Sequence, residues 1–437
     1  MSSDHLQVKA REAGFVRRGK KLTADSFVGM LLYCSSREDN SSLDSMCRVL
    51  EDYWGINIRK QSLDERFNEA CLDFVKSILQ EMLEEQLRSS CLYKDDFWKN
   101  FPQIRVKDST KFKVPDNMKK QFKGNGGSPA GICIQYEYDL VKGKILDLSV
   151  GSGGCCDRTD AVKTKDQPRK GELVIRDLGY YSLDVFKTFS TNKVFFLSRL
   201  SSQTCVFEQR GEKWKEVDFK KIYNKMLEGN IGQMEMKVNL GVDYKLPVRM
   251  ILSLVDNQVY EKRIRGREKE NRKRGQKMSE ETRIRYRFSI YITNADEKSL
   301  PITLVFSAYR LRWQIELIFK CWKSIYKVHI GRKMKQNRYL CMLYAKLLLI
   351  VINLQITGSL QESIQKTDKH GKTQFLSTRK VLYTFRIYFY DVYTALVSNG
   401  SRKRNILLYL QNKIASNHWL EKKKNKQYTD EIIDLRV

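Results

Sequence analysis

Apolar residues recur at helical spacing in the first part of the chain, from Ser26 to about Cys91. They include Leu43, Met46, Cys47 and Leu50 before Gly55, and Leu63, Phe67 and Cys71 after it. Positions with this spacing share one face of a helix, so they predict two helices joined by a glycine turn. Ser42 and Ser62 are the predicted N-caps, and Glu65 would complete a capping box with Ser62. The pair fits a helix-turn-helix that binds DNA and a plain helical bundle equally well.

Between Phe101 and Arg199 the apolar residues alternate with a period of two, as they do in strands. Predicted strands lie in the segments FPQIRVKDSTKF, GICIQYEYDL, KILDLSV, GELVIRDLGYY and NKVFFLSRL. Helical segments separate the last strands from those before them. Three strands followed by two helix-strand units predict an α/β domain with a mixed sheet.

A different pattern runs from about Ser201 to Arg287, where short alternating segments show few helix signals after Leu227. It predicts a β-rich insertion. Within it, the basic run from Arg263 to Lys277 has few apolar residues and is predicted to be a solvated loop. The segment FSIYITN then predicts a strand that returns the chain to the α/β domain, and the sequence after about Gly331 is helical.

The segment YRLRWQIELIFKCWK predicts an amphipathic helix with chemically active residues on one side. At 100° per residue, four polar side chains fall within an arc of roughly 60°: Tyr309, Arg312, Glu316 and Lys323. The apolar stripe lies elsewhere and comprises Leu311, Ile315, Ile318 and Trp322. For one isolated helix, this arrangement is explained by a solvated face with an Arg312–Glu316 ion pair.

Two predicted strands carry an aspartate where the alternation calls for an apolar residue. The shared faces are Ile104, Val106 and Asp108 in the first strand and Leu173, Ile175 and Asp177 in the second. Either aspartate alone is explained by a strand that ends there, because a buried unpaired carboxylate is costly. Together with Glu316, however, they would form a hard oxygen site suited to Mg²⁺ or Mn²⁺. Two such ions about 4 Å apart can activate a water or a 3′-hydroxyl in phosphodiester displacement.

The charge of the chain indicates a polyanionic partner. There are 80 Lys and Arg against 51 Asp and Glu, a net charge of +29. The basic residues are spread along the whole chain, which favours nucleic acid over an anionic membrane surface. The first residues lack a signal-peptide pattern, and the ten cysteines form no CxxC pair, so we expect reduced thiols in a cytosolic protein. The apolar run Tyr339 to Ile356 contains Lys346 and Asn353, so a buried core helix is predicted in preference to a membrane span.

These motifs together resemble the IS4 group of DDE transposases, which includes the Tn5 and Tn10 transposases. The polar stripe reads as that group's Y-(2)-R-(3)-E-(6)-K signature, from Tyr309 to Lys323. Asp108 stands in KDST and Asp177 in RDLGYY, contexts similar to those of the family's catalytic aspartates. The resemblance implies an RNase H-like catalytic core with a β-rich insertion, flanked by helical N- and C-terminal regions.

The same resemblance implies boundaries and roles. The expected regions are a helical DNA-binding region at 1–98, the RNase H-like core at 99–200 and 288–330, the β-rich insertion at 201–287, and a helical C-terminal region at 331–437. The expected catalytic and metal-binding residues are Asp108, Asp177 and Glu316, with two Mg²⁺ ions for which Mn²⁺ would substitute. Tyr309, Arg312 and Lys323 would contact the transposon end.

The implied activity is cleavage at the terminal inverted repeats of an insertion sequence and joining of the 3′-hydroxyl ends to target DNA. The implied state is a homodimer in a synaptic complex with transposon ends and target, cytoplasmic and nucleoid-associated, without a membrane. Two alternatives remain open from the residues: a DNA-binding protein with a vestigial site, and an RNase H-like nuclease that cuts without joining.

Overall fold

A ten-stranded mixed sheet forms the centre of the protein in the computed structural model. The structure describes residues 2–16, 21–37, 42–88, 100–142, 144–211, 213–243, 245–364, 366, 374, 376–397 and 401–419. The strands are β1 (Ile104–Lys113), β2 (Gly131–Asp139), β3 (Lys144–Ser152), β4 (Leu173–Arg176), β5 (Phe195–Arg199), β6 (Val206–Arg210), β7 (Lys213–Glu216), β8 (Gln233–Leu240), β9 (Leu246–Leu254) and β10 (Phe288–Thr293). Their order in the sheet is β3-β2-β1-β4-β5-β10-β9-β8-β6-β7.

Helices cover the sheet and make up most of the described N-terminal and C-terminal regions. They are α1 (Ser3–Glu12), α2 (Ala24–Ser36), α3 (Leu43–Trp54), α4 (Lys60–Asp64), α5 (Glu69–Arg88), α6 (Asp157–Lys163), α7 (Leu183–Thr191), α8 (Phe219–Glu228), α9 (Asn257–Arg274), α10 (Glu280–Arg285), α11 (Ile302–Arg310), α12 (Trp313–Ser324), α13 (Gln336–Ser363), α14 (Thr378–Ile387), α15 (Phe389–Val397) and α16 (Ser401–Asn417).

The mixed sheet predicted from the alternating segments is confirmed. Strands β1, β4 and β5 are parallel, and β2 and β3 add to the outer edge of β1 as antiparallel strands. Helices α6 and α7 connect the strands where the sequence pattern placed them. The parallel strands are largely buried, as expected for strands whose two faces are both covered.

The segment between β5 and β10 extends the same sheet through four antiparallel strands, β6 to β9. Its basic run is a helix, so the predicted solvated loop is wrong. Helix α9 ends at Gly275, which adopts the left-handed conformation with φ 64°. The run consists largely of Glu, Lys and Arg, which favour helices without an apolar stripe, and Glu268 forms an ion pair with Arg283 of α10 at 2.9 Å.

The N- and C-terminal helices pack on each other, with α13 against α2 and α5. The Tyr393 hydroxyl of α15 donates to the carbonyl of Asp25 in α2 at 2.6 Å. Helices α1 to α5 therefore belong to a helical bundle, which is the arrangement of the second alternative above. Helix α13 is long and apolar enough to cross a membrane by length and composition, but 72% of its most apolar window is buried in the protein. That burial agrees with the predicted core helix.

The predicted caps of the first helices are partly confirmed. The Ser42 hydroxyl accepts a hydrogen bond from the backbone of Ser45 at 3.0 Å, and Gly55 ends α3 with φ 62°. The Ser62 cap is wrong, because Ser62 lies inside the short helix α4. The next long helix starts after Asn68, whose side chain accepts from the backbone of Cys71 at 3.1 Å. The helix predicted to start at Ser62 is therefore divided into the short α4 and the longer α5.

Candidate active site

Asp108 and Asp177 lie side by side on neighbouring parallel strands. The register pairs Lys107 of β1 with Arg176 of β4, so the next position in line brings the two aspartates together. Asp108 does not mark a strand end, because β1 continues to Lys113. Asp177 does follow the last residue of β4, where it precedes a 3₁₀ turn. The strand-end explanation therefore holds for one aspartate and is wrong for the other.

The predicted single helix from Tyr309 to Lys323 is in fact two helices, α11 and α12, with a step at Leu311 and Arg312. The backbone N–H of each step residue bonds to the carbonyl three residues before it, at 3.1 Å in both cases. This 3₁₀ spacing is tighter than an α-turn. Leu311 enters the core, and Arg312 is buried against the aspartates.

The Arg312 guanidinium reaches all three predicted metal-binding carboxylates. Its Nη1 lies 3.3 Å from Asp108 Oδ2, its Nη2 2.8 Å from Glu316 Oε1 and its Nε 4.0 Å from Asp177 Oδ1. Burial lowers the pKa of Arg312, but Asp177, Tyr309 and Glu316 raise it further than burial lowers it. A permanent cation therefore stands at the centre of the acidic cluster.

Tyr309 also faces the cluster. Its ring is buried beside the ring of Tyr291, with centroids 4.9 Å apart, and its hydroxyl donates to Asp177 Oδ1 at 3.3 Å. Burial and the charge of Asp177 raise the pKa of Tyr309, so the hydroxyl stays a neutral donor. Lys323 lies further along α12, about 10 Å from Glu316 at 1.5 Å per residue. Within the described ranges, no ion pair joins Lys323 to the three carboxylates.

The environment of Asp108 disfavours its ionised form. The raised pKa of Asp108, at about 6, is caused mainly by burial, with contributions from Asp177 and Asp157. The backbone N–H of Ser109, which donates at 2.8 Å, and the Arg312 charge only partly offset these effects. Asp177 and Asp157 are thus close enough to disfavour the ionised form of Asp108, and Arg312 does not fully compensate for them and for burial.

Sequence reasoning missed a fourth carboxylate, Asp157, at the first turn of α6. Its Oδ1 accepts from the Ser109 hydroxyl at 2.8 Å and from Gln135 Nε2 at 3.0 Å. Gln135 Oε1 in turn accepts from the Tyr180 hydroxyl at 2.6 Å. Ser109 directly follows Asp108, and Tyr180 lies in the turn after Asp177. One chain of hydrogen bonds therefore holds the backbone next to both catalytic candidates.

Helix α6 approaches this turn closely at Gly179. A Cβ added at Gly179 would lie 3.2 Å from Asp157 Oδ2, which leaves little room for a side chain. The signal for Asp157 in the sequence was weak, because an aspartate at a helix start is ordinarily explained by favourable interaction with the helix dipole. Only the fold brings it beside Gly179 and Ser109.

A buried ionic network lies on the other face of the same strands. Glu137 of β2 is fully buried between Arg105, at 2.7 Å, and Arg176, at 3.1 Å. Burial raises the pKa of Glu137, but the charges of Arg176, Arg105 and Lys107 lower it to about 2. Lys107 is also fully buried and pairs with two carboxylates at 2.7 and 2.9 Å. This network fixes β1, β2 and β4 to each other directly behind the aspartates.

The three convergent side chains are suited to a hard divalent cation, because all of them are carboxylates and carboxylate oxygens are the ligands that such cations prefer. In this structure the three carboxylates contact the Arg312 guanidinium. Among the residues that the structure describes, no three His, Cys, Asp or Glu side chains are spaced to hold an ion. To bind a metal ion, the side chains would therefore have to rotate away from the Arg312 guanidinium; these side chains are Asp108, Asp177 and Glu316.

Comparison with known proteins identifies the family. Residues 99–354, more than half of the chain, match the transposase DDE domain. The chain is 29% identical to the transposase of insertion sequence IS231E from Bacillus thuringiensis subsp. finitimus, over 97% of this chain and 91% of that protein. It is 31% identical to the IS231C transposase from B. thuringiensis subsp. berliner, over 79% and 76%.

A more distant relative is the IS1151 transposase of Clostridium perfringens, 26% identical over 82% of this chain and 79% of that protein. The matched DDE domain implies an RNase H-like core, which accords with the mixed sheet, and such domains generally use divalent metal ions. The family match and the relatives together show that this chain belongs to the DDE transposase family.

Proposed function

We propose that the chain cuts DNA at the terminal inverted repeats of its own insertion sequence and joins the 3′-hydroxyl ends to target DNA. The observation that carries this proposal is the convergence of Asp108, Asp177 and Glu316 on one guanidinium, next to the point where the parallel pairing of β1 with β4 ends. The intact set of three carboxylates favours an active enzyme over a vestigial site. The net charge of +29 suits a DNA substrate.

In this proposal Asp108, Asp177 and Glu316 hold two Mg²⁺ ions, and Mn²⁺ substitutes for them. The bound ions would supply Lewis-acid stabilisation of the attacking and leaving oxygens in phosphodiester displacement. Tyr309 donates to Asp177 and so fixes the orientation of that carboxylate. Arg312 contacts a phosphate of the DNA end once the carboxylates no longer need its charge, because a guanidinium binds phosphate as well as carboxylate.

Lys323 contacts the same DNA end further along α12. These assignments follow the Y-R-E-K signature, so a likeness to the Tn5 and Tn10 transposases within the IS4 group is part of the proposal. So is the division into a DNA-binding region at 1–98, a core at 99–200 and 288–330, an insertion at 201–287 and a C-terminal region at 331–437. The protein would act as a homodimer that holds two ends in a synaptic complex, in the cytoplasm on the nucleoid.

The test is a cleavage and joining assay on DNA that carries the ends of the element encoding this chain, with Mg²⁺ or Mn²⁺. Glu316→Gln is expected to slow cleavage and strand transfer by more than about a hundredfold, since loss of a metal ligand removes several kcal/mol of transition-state stabilisation. Binding of the ends should persist. The matched control is Glu297→Gln, an exposed glutamate in the turn after β10, which should cut like the wild type.

The outcomes separate the alternatives. Cleavage by Glu316→Gln at the wild-type rate would remove Glu316 from the site. Binding without any cleavage by the wild type in either metal would favour the DNA-binding protein with a vestigial site. Cleavage at the ends without strand-transfer products would favour the nuclease.

A further inference from the structure

Helix α9 carries a row of cations on one side. Its 18 residues include eight lysines and arginines and three glutamates. At 100° per residue, five of the cations fall within an arc of about 100° on the helix surface. These five residues are all exposed, and they are Lys262, Arg265, Lys269, Arg272 and Lys273. We call this feature the cationic stripe.

The other side of α9 packs on the protein. Ile264 and Asn271 are buried there, about 140° round the helix from the middle of the cationic stripe. The cations on this side have partners within the chain. Arg263 donates to a backbone carbonyl of β10 at 2.8 Å, and Arg267 forms an ion pair with Glu270 at 3.2 Å. The cationic stripe therefore faces away from the part of the protein on which α9 packs.

The five cations of the stripe form no ion pair with any carboxylate in the part of the chain that the structure describes. Glu268 and Glu270 of the same helix pair with arginines outside the stripe, at 2.9 and 3.2 Å. Glu261 lies at the margin of the stripe, about 40° round the helix from Arg265. The stripe thus keeps an excess of positive charge, and DNA phosphates would neutralise it with release of their counterions.

Gly266 is a second indication of a ligand on this side of α9. It lies in the interior of the helix, one turn from both Lys262 and Lys269. Glycine is less favourable than alanine at such a position. A Cβ at Gly266 would meet nothing within 4 Å, so packing inside the protein does not require the glycine. A missing side chain next to the stripe would, however, let a ligand approach the helix backbone closely.

Helix α9 leaves the sheet at the edge that carries the candidate active site. Strand β10 is antiparallel to β5, so it begins at the edge where the parallel strands β4 and β5 end. Strand β9 is antiparallel to β10 and ends at that same edge, and α9 and α10 connect the two strands. In the sheet β10 lies two strands from β4, which is about 10 Å at about 4.8 Å per strand. Asp177 follows the last residue of β4, so the start of α9 is close to it.

Further cations lie between the stripe and the candidate active site, around Tyr291 of β10. The Tyr291 ring contacts the ring of Tyr309, with centroids 4.9 Å apart. Burial raises the pKa of Tyr291, and four arginines oppose this rise through their charge: Arg199, Arg263, Arg310 and Arg312. Arg199 and Arg310 are exposed. Positive charge therefore continues from α9 to the guanidinium that the three carboxylates contact.

We propose that the cationic stripe of α9 binds the phosphate backbone of the element's own DNA end, beside the bond that is cut. This inference rests on the proposed function, because that function places the cut bond at the three carboxylates. The stripe is about 16 Å long from Lys262 to Lys273. A duplex rises about 3.4 Å per base pair, so the stripe covers about five base pairs. Contacts of this kind position the duplex without reading its sequence.

The element's end is the expected occupant because of the order of the two reactions. The end must lie in the active site and be cut before it has a 3′-hydroxyl to join to a target. The start of α9 is about 10 Å from the strand that carries Asp177, or about three base pairs. One duplex can therefore contact the carboxylates and the stripe at the same time.

The experiment measures binding of the full-length protein to a duplex that carries the element's end, at several salt concentrations. The stripe variants are Arg265→Gln and Lys269→Gln, at two exposed positions near the middle of the stripe. The matched control is Arg267→Gln, which removes the same charge from the same helix but outside the stripe. A third variant, Gly266→Gln, adds a side chain beside the stripe without changing the charge. The melting temperature of each protein is measured as well.

Arg265→Gln and Lys269→Gln should each weaken binding about threefold to tenfold and reduce the slope of log K against log salt by about one, as for one lost phosphate contact. Arg267→Gln should keep the wild-type slope. Gly266→Gln should raise the melting temperature, because glutamine favours a helix more than glycine does, and should still weaken binding. That combination separates loss of a DNA contact from loss of the fold. Affinities and slopes of the stripe variants equal to those of Arg267→Gln would overturn the proposal.

A second arm separates the element's end from target DNA. Complexes with ends that are already cut are offered an unrelated duplex as target. Normal binding of the end, with a loss confined to capture of the target, would assign the stripe to target DNA and overturn the proposal. Cleavage of the end duplex by the wild type is scored separately. Stripe-dependent binding without cleavage would contradict the proposed function alone, whereas cleavage with stripe-independent binding would contradict the stripe alone.

Discussion

Replacing Asp108 with asparagine is expected to stabilise the folded protein even though it removes a catalytic candidate. The Asp108 side chain is only 20% exposed and lies beside Asp177. Burial, together with Asp177 and Asp157, raises the pKa of Asp108 to about 6 from an ordinary value of 3.8. The ionised carboxylate is therefore less favourable in the folded chain than in the unfolded one. Asparagine keeps the shape and removes that charge.

The magnitude follows from the pKa. A rise of about two units corresponds to about 3 kcal/mol, at about 1.36 kcal/mol per unit. Because the folded state binds the proton more tightly than the unfolded state, stability falls as the pH rises from about 4 to about 6 and stays lowered above that range. The asparagine side chain has no proton to lose, so Asp108→Asn should gain about 1 to 3 kcal/mol at pH 7 and about nothing at pH 4.

The assay is guanidinium-induced unfolding of the full-length wild type and variant at pH 4 and pH 7, with metal removed by a chelator. The unfolding curves should separate at pH 7 and converge at pH 4. Added Mg²⁺ should then stabilise the wild type more than the variant, since binding to the native state alone raises its stability. A control is Asp296→Asn, whose carboxylate accepts from the Ser299 backbone at 2.7 Å and has a lowered pKa, so it should destabilise the protein. A variant at Asp108 less stable than the wild type at pH 7 would refute the reasoning.

Two further predictions concern the groups around the site. Asp157→Asn is expected to slow cleavage by about tenfold to a hundredfold and to raise the Mg²⁺ concentration that cleavage requires, while DNA binding is unchanged, as expected for loss of a positioning partner. Gly179→Ala should act in the same direction, because its Cβ would press on Asp157. An unchanged Mg²⁺ requirement in both variants would contradict the positioning role. Glu137→Gln is expected to destabilise the fold by about 3 to 5 kcal/mol, because it removes the carboxylate beside the buried Arg176, while Arg105 keeps Glu172 at 3.2 Å. The pKa of Glu137 is lowered to about 2 from 4.5, so the stability that its ionised carboxylate contributes is present above about pH 4.5 and is lost as the pH falls towards 2. Unfolding curves measured above pH 4.5 and near pH 2 would show this loss.

The parts of the fold that the sequence predicted are those in which local pattern and burial agree. The alternation in β1 placed Ile104 and Val106 in the core and Asp108 on the same face, and the structure has them so. The same alternation leaves Arg105 and Lys107 on the other face, where a sequence pattern indicates solvent. They are buried instead, because Glu137 and the carboxylates around Lys107 come from elements distant in the sequence.

Local signals failed where the apolar pattern does not determine the structure. The basic run of α9 has no apolar stripe, so it was predicted to be a loop, although its Glu, Lys and Arg residues favour a helix intrinsically. The polar stripe of α12 was indexed as one continuous helix, but the step at Leu311 and Arg312 tightens the turn. Asp157 could not be found at all, since its role depends on contacts with Gln135 and Ser109 that only the folded chain brings together.

The stripe of α11 and α12 is now explained by charge. The ion pair expected for an isolated helix, Arg312 with Glu316, is present at 2.8 Å, but the same guanidinium also reaches Asp108. One guanidinium contributes a single positive charge to three carboxylates, so the cluster keeps an excess of negative charge. Burial, together with Asp177 and Asp157, keeps the pKa of Asp108 raised despite Arg312. A divalent cation would offset more of that excess than Arg312 does, and its arrival would free Arg312 for a phosphate. The residue that stabilises the site without metal is therefore the residue that metal binding would make available to DNA.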